Sequence, residues 1–249
     1  MMVEINKIYQ GDCLEIMPLI DDKSIDMILC DLPYGTTACK WDAVIPFKPL
    51  WEQYKRIIKD HGAIVLTASQ PFTSALVMSN PGWFKYEWIW EKTIGTNFAL
   101  VNKQPSKKHE NVLIFYKKQP IYNPIMQVGK PYKDVRRKIE RTVGVWGGKT
   151  MDKKPINNEG FRYPSSVQSF SNGNNKTVHP TQKPVALFEY LIRTYTNENN
   201  TVLDNCAGSG TTGVACKNLN RKFILIEKEE KYCQIAEKRI NNVSGLPTP

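Results

Sequence analysis

The chain has 249 residues, 41% of them hydrophobic and 10% aromatic, enough for one large domain or for a domain carrying an insertion. No apolar stretch approaches the roughly 20 residues that cross a bilayer, and the opening Met-Met-Val-Glu-Ile-Asn-Lys lacks the apolar core of a signal peptide, so no membrane partner and a cytoplasmic location are expected. The formal charge of +10 favours a polyanionic partner.

In chain order, residues 5 to 10 read as a short strand, and Gly11-Asp12 as a turn whose aspartate can cap a helix over Cys13 to Ile20. Met27 to Cys30 is a short apolar run, as in a fully buried parallel strand. It stops on Asp31-Leu32-Pro33-Tyr34, where Pro33, without an N–H, ends the ladder. The carboxyl end of a strand in an open parallel sheet is where ligands bind, so this tetrapeptide is the first candidate site. Phe47 to Lys59 has helical spacing, with Gly62 as its stop, and Ala63 to Thr67 reads as the next buried strand. A helix over Pro71 to Met78 and strands over Glu87 to Glu91 and Asn111 to Tyr116 follow.

From Lys117 to Val178 the periodicity disappears. Residues 117 to 176 hold 13 Lys and Arg against 4 Asp and Glu, so nearly all the excess charge lies in one insertion. Regular signals return as a helix (Lys183 to Arg193), a strand (Thr201 to Asn205), a helix (Thr211 to Leu219), a strand (Phe223 to Ile226) and a last helix (Glu230 to Asn241). The six cysteines include no Cys-x-x-Cys pair, so the reading includes no metal site and no disulfide framework.

Gly208-Ser209-Gly210-Thr211-Thr212-Gly213 fits Gly-x-Gly-x-x-Gly between a predicted strand and a predicted helix, and Glu227 stands about 20 residues on, where an acidic residue can accept bonds from ribose hydroxyls. Only 36 residues follow Gly213, too few to complete a sheet, so the remaining strands must come from the N-terminal half. The expected fold is α/β: a Rossmann-like, circularly rearranged, mostly parallel sheet with a basic insertion. In that arrangement the glycine loop and the Asp31 loop lie side by side.

Three segments carry a family resemblance. Asp31-Leu32-Pro33-Tyr34 resembles the Asp-Pro-Pro-Tyr signature, and Asp204-Asn205-Cys206-Ala207-Gly208-Ser209-Gly210-Thr211 resembles the cofactor signature, of S-adenosylmethionine-dependent DNA amino-methyltransferases. His179-Pro180-Thr181-Gln182-Lys183-Pro184 resembles the segment that opens the helix before the cofactor strand, and the order of the three is similar to that of the β-class. Leu32 replaces the first proline but keeps its carbonyl; Asn205-Cys206 stands where Pro-Phe is more usual.

The resemblance implies residues 1 to 116 as the catalytic half of one α/β domain, 117 to 178 as a basic insertion for DNA target recognition, and 179 to 249 as the cofactor-binding half. It implies Asp31 and the Leu32 carbonyl as acceptors for the amino hydrogens of a flipped base, Pro33 as the stiffener of the turn, and the Tyr34 ring, without need of its hydroxyl, as a stacking face. Asp12, Asp31, Lys183, Pro184, Asn205, Cys206, Ala207, Gly208, Ser209, Gly210, Thr211, Thr212 and Glu227 would surround S-adenosylmethionine, with Asp12 on its adenine and Lys183 and Pro184 near its methionine end. Lys107, Lys108, Arg136, Arg137, Lys138 and Arg141 would contact double-stranded DNA. In this family an aspartate opening the tetrapeptide more often goes with adenine N6, and a serine with cytosine N4. Cytosine-N4 transfer, a catalytically silent nucleic-acid-binding module and a nicotinamide oxidoreductase are the alternatives. The resemblance is compatible with a monomer or a homodimer, and with a companion restriction nuclease.

The charge of the insertion generates the first prediction. Neutralising Arg136, Arg137, Lys138 and Arg141 together should flatten the log–log salt dependence of DNA binding by up to about 0.9 for each phosphate that is no longer neutralised. An unchanged slope would show that this cluster does not meet phosphate.

Overall fold

The computed structural model describes residues 3–37, 39, 42–134, 156–172 and 182–243. Its strands are β1 (Lys7–Gln10), β2 (Ile25–Asp31), β3 (Ile58–Ala68), β4 (Phe84–Lys92), β5 (His109–Phe115), β6 (Gln127–Val128), β7 (Tyr132–Asp134), β8 (Ile156–Asn158), β9 (Phe161–Arg162), β10 (Val167–Phe170), β11 (Thr201–Asp204) and β12 (Lys222–Glu227). Helices α1 (Cys13–Ile16), α2 (Phe47–Ile57), α3 (Phe72–Ser79), α4 (Val185–Tyr195), α5 (Thr211–Asn218) and α6 (Glu230–Asn241) complete the regular structure with two short 3₁₀ turns. Residues of 1–123 and 166–249 form one unit, and Pro124–Ser165 a second, small one in which β6 pairs with β9 and β7 with β8, both antiparallel.

The larger unit is an eight-stranded sheet in the order β1-β12-β11-β2-β3-β5-β4-β10. Every neighbouring pair is parallel except those made by β5, which runs against both β3 and β4. The expected rearrangement is present, since β1 lies in register against β12, with Tyr9 opposite Ile226. This is a Rossmann-like α/β architecture, and the central strands β2 and β12 read as near-continuous apolar runs because both faces are covered. Along β2, Ile28 and Cys30 enter a core with Leu50, Tyr54 and Ile57 of α2 and Phe72 and Leu76 of α3. Met27 and Leu29 point the other way, into a core with Leu187, Phe188 and Leu191 of α4, Ala215 and Cys216 of α5 and Ile240 of α6.

Two expectations are corrected. Gly62 does not stop α2; that helix ends at Ile57, the chain passes directly into β3, and Gly62 lies within the strand. Ile25 pairs with Ile58 but Met27 with Ala63, so the strand bulges here, and a Cβ at Gly62 would meet the Asp26 carbonyl at 2.9 Å. Val167–Phe170, read as part of the insertion, is the outer strand of the main sheet, parallel to β4. Four residues on a half-exposed edge carry too little apolar pattern to be read as a strand.

The topology brings one edge together. Gly11 after β1, Glu227 on β12, Asp204 on β11, Asp31 on β2, Thr67 on β3, Glu110 on antiparallel β5 and Lys92 on β4 all stand at the carboxyl end of the parallel strands. Among the described residues no helix is long and apolar enough to cross a membrane.

α5 can start only through a left-handed residue at Gly210, φ +77°, whose missing Cβ leaves room for Ala236 of α6: an added Cβ would come within 2.6 Å of that methyl carbon. Gly210→Ala therefore incurs both backbone strain and a steric conflict with another element. It should lower unfolding free energy by about 1–3 kcal/mol in urea titration, the range for one strained backbone position.

Candidate active site

The carboxyl edge borders a cleft of about 1120 Å³. Asp12, Asp31, Leu32, Pro33, Tyr34, Lys183, Asn205, Cys206, Ala207, Gly208, Ser209, Thr211 and Glu227 line it, together with Lys107. Thus the tetrapeptide, the glycine loop and the acidic residue after it, separated in sequence, share one concavity. Pro184, Gly210 and Thr212, expected beside the cofactor, do not line the cleft. Pro184 precedes the first turn of α4, Gly210 turns the chain, and Thr212 is buried, donating from its hydroxyl to Asp204. Lys108 is not among the lining residues. Arg136, Arg137, Lys138, Arg141, His179, Pro180 and Thr181 lie outside the described residues.

At the cofactor end, the Glu227 carboxylate accepts the Gly208 N–H at 2.7 Å through one oxygen and the Glu229 N–H at 2.9 Å through the other. Burial raises its proton affinity and these backbone donors offset part of the rise. The Glu227 carbonyl takes the Gly11 N–H at 2.9 Å, tying the N-terminal turn to the same corner. Asp12 caps α1 through the Leu14 N–H at 2.9 Å, as its position predicts, while its second oxygen lies 3.4 Å from Lys228 Nζ. Asp204, under the loop, takes the Cys206 N–H at 3.1 Å and the Thr212 hydroxyl. Burial pushes its carboxyl up to about 6 even against these donors.

At the tetrapeptide, Asp31 Oδ1 accepts the Tyr34 hydroxyl at 2.7 Å and the Thr67 hydroxyl, and Oδ2 accepts Lys183 Nζ at 2.6 Å. The Tyr34 hydroxyl, given no role by the sequence, therefore braces the carboxylate, and its ring lies 5.2 Å from that of Phe72, stacked at 25°. Burial, then the Asp31 charge, hold the phenol well above its ordinary range, so it stays a donor. Lys183 also approaches Glu110 Oε2 at 3.4 Å, and Glu110 Oε1 is 2.5 Å from Lys92 Nζ. Burial lowers the proton affinity of Lys183, but Asp31 and Glu110 together more than offset it and leave that affinity above normal, so it is an ammonium. Asp42 fastens the following loop by accepting the N–H groups of Gly35, Thr36 and Thr37 at 2.7–2.9 Å.

The family model described as DNA methylase matches residues 25–238. The chain belongs to the N6/N4 DNA methylase family. Over 97% of its length, and 99% of the relative's, it is 29% identical to the type II methyltransferase M1.MboII of Moraxella bovis. It is also 29% identical to M.HpaI of Haemophilus parainfluenzae, over 93% of this chain and 73% of that one. Among solved structures it is similar to the M1.HpyAVI–SAM complex, with a TM-score of 0.64, 28% identity and coverage of 94% of this chain and 98% of that one. The cytosine-N4-specific PvuII DNA methyltransferase shares its fold at a TM-score of 0.70 and 18% identity, over 98% of this chain and 89% of that one.

Three residues that hold the Asp31–Lys183 pair or its neighbours are not read from the sequence. Thr67 was readable in principle, because a polar residue ending the strand next to β2 falls opposite Asp31 in register. Glu110 faces the cleft only because β5 runs antiparallel, and Lys92 because β4, beyond it, runs with the parallel strands and ends at the same edge; no local pattern announces either. Among the described residues, no cluster of His, Cys, Asp and Glu is placed to hold a metal ion.

Asp204 yields a signed pH prediction. Its folded affinity for a proton exceeds that of the unfolded chain, so its contribution favours folding at acid pH and is lost as pH rises through about 6. Thr212→Val removes a donor that matters most to the ionised form. Urea unfolding should show a loss of about 1–3 kcal/mol at pH 8 and a smaller one at pH 5. Equal losses at both values would contradict this assignment.

Proposed function

We propose that the chain transfers the methyl group of S-adenosylmethionine to adenine N6 in double-stranded DNA, acting on a base turned out of the helix. The observation that carries the reading is the Asp31 carboxylate at the end of β2, open to the same cleft as the glycine loop and Glu227.

The residues fit the cofactor on their own chemistry. Glu227 and Asp12 each present carboxylate oxygens to the cleft, suited to ribose hydroxyls and to an adenine amino group, and the Gly208 turn exposes main chain beside them. When bound, S-adenosylmethionine supplies an electrophilic methyl carbon. Everything else asked of the site is positioning and charge.

An exocyclic amine on an aromatic ring is a poor nucleophile because its lone pair is delocalised into the ring. Asp31 and the Leu32 carbonyl would accept the two amino hydrogens, favouring a more tetrahedral nitrogen whose lone pair points into the cleft. Thr67 and Tyr34 fix the carboxylate through Oδ1, so its orientation is set before substrate arrives. The product nitrogen releases its extra proton to water, since Lys183 is already protonated. Tyr34 would offer a ring face to the base, and Lys107, on the cleft wall, a charge for the adjoining phosphate. Adenine is favoured over cytosine N4 by the resemblance of the tetrapeptide, whose first residue is aspartate.

In single-turnover methylation, Asp31→Ala should slow transfer by at least about 10²-fold, the scale for losing one preorganised electrostatic group, while DNA binding largely survives. Tyr34→Phe should keep most stacking and lose the brace on Asp31, so it should fall between wild type and Tyr34→Ala. Mass spectrometry of nucleosides from the treated DNA identifies the base. N4-methylcytosine would replace the adenine reading, and no methylated base with a folded protein would remove it.

A further inference from the structure

Asp31 already serves three donors. Two hydroxyls hold Oδ1, and the Lys183 ammonium holds Oδ2 at 2.6 Å. The methyl-transfer reading asks this carboxylate to accept a hydrogen from an incoming amine. A charged donor that stays so close competes for the same lone pairs and draws off the negative charge the amine is meant to feel. Lys183 must therefore have somewhere else to go.

Glu110 offers that place. Its Oε2 is buried, makes no hydrogen bond among the described residues, and lies 3.4 Å from Lys183 Nζ. An orphaned carboxylate oxygen is costly unless it has a use. Glu110 is itself fixed, because Lys92 Nζ holds its other oxygen at 2.5 Å and β5 carries it in the sheet between β3 and β4. Closing 3.4 Å to an ordinary charge-assisted length of about 2.8 Å requires a displacement of less than about 1 Å, within the reach of a lysine end group.

We infer that Glu110 is a positioning residue for the reaction: its Oε2 receives the Lys183 ammonium as the substrate amine engages Asp31. The proposal rests on the methyltransferase reading. Lys183 would sit on Asp31 in the free enzyme and on Glu110 during transfer, leaving Oδ2 to the amine. The four charges, Asp31, Lys183, Glu110 and Lys92, sum to zero in either arrangement, so the hand-over moves no net charge into the cleft. Among the described residues Tyr34 also faces Lys183, its ring centroid 5.7 Å from Nζ.

The test is a double-mutant cycle on the single-turnover methylation rate, using Glu110→Gln, Lys183→Met and the pair. Glu110→Gln should slow transfer about tenfold with cofactor affinity unchanged. It should also move the alkaline limb of the pH–rate profile to lower pH, because Lys183 loses one of the two anions that retain its proton. In the Lys183→Met background the same substitution should have no further effect. Glu110→Asp, which keeps the charge and lengthens the hand-over, should slow transfer without moving the limb, and it serves if Glu110→Gln does not fold. An active wild type whose Glu110→Gln variant keeps both its rate and its alkaline limb overturns the inference alone. So does a Glu110→Gln effect of equal size with and without Lys183. A folded wild type that methylates no DNA amine overturns the function and the inference with it.

Discussion

An ammonium held between two carboxylates at the edge of a parallel sheet is the interaction on which the site depends. Taking Lys183 out of water is expensive, and its attraction to Asp31 and Glu110 offsets that only with good geometry. Such an arrangement is poor evidence for a stabilising role, since well-packed apolar residues could fill the same space. It is better understood as the requirement of a site that needs an ionised, oriented carboxylate in a partly dry cleft. The sheet supplies the geometry: β2, β4 and β5 and the segment before α4 each contribute one charge, and none of the four is adjacent in sequence to another.

Two neighbouring carboxylates at the cofactor end of the cleft solve different problems. Glu227 commits part of its acceptor capacity to the N–H groups of Gly208 and Glu229, so the group proposed to hold a ribose also fixes the loop beside it. Asp204, one strand over, is wholly committed to the fold: it holds the Cys206 N–H and the Thr212 hydroxyl. Tyr54 extends the support from the opposite face of the sheet, donating its buried hydroxyl to Asn205 at 2.6 Å. A ligand at this end would meet a loop that is already braced from both faces.

Much of this was legible in the chain. The apolar run into Asp31 and the glycine pattern with Glu227 are local signals with local causes, and the α/β alternation with few residues after Gly213 forced β1 against β12. What escaped has a common cause. The direction of β5, which brings Glu110 to the site, and the placement of Val167–Phe170 at the sheet edge are decided by which strand pairs with which. The Tyr34 hydroxyl is a different case: its partner Asp31 is only three residues away, but no residue pattern tells that the turn folds the phenol back onto that carboxylate. Gly62 misled because a glycine at a bulge and a glycine after a helix look alike in one dimension.

The pairing of β1 with β12 has a consequence for how the molecule is made. Tyr9 finds its neighbour Ile226, and Gly11 its Glu227 carbonyl, only when nearly the whole polypeptide is available. During synthesis from the N-terminus, the strand at Lys7–Gln10 has no ladder partner until β12 has been made, and β11 and β12 also separate it from β2. Closure over so long a separation is slow, because the entropy of the intervening chain must be given up before any contact compensates for it. The cofactor corner therefore cannot close before β11 and β12 have been made, and a chain cut short before them would carry the tetrapeptide's strands without the wall that completes their cleft.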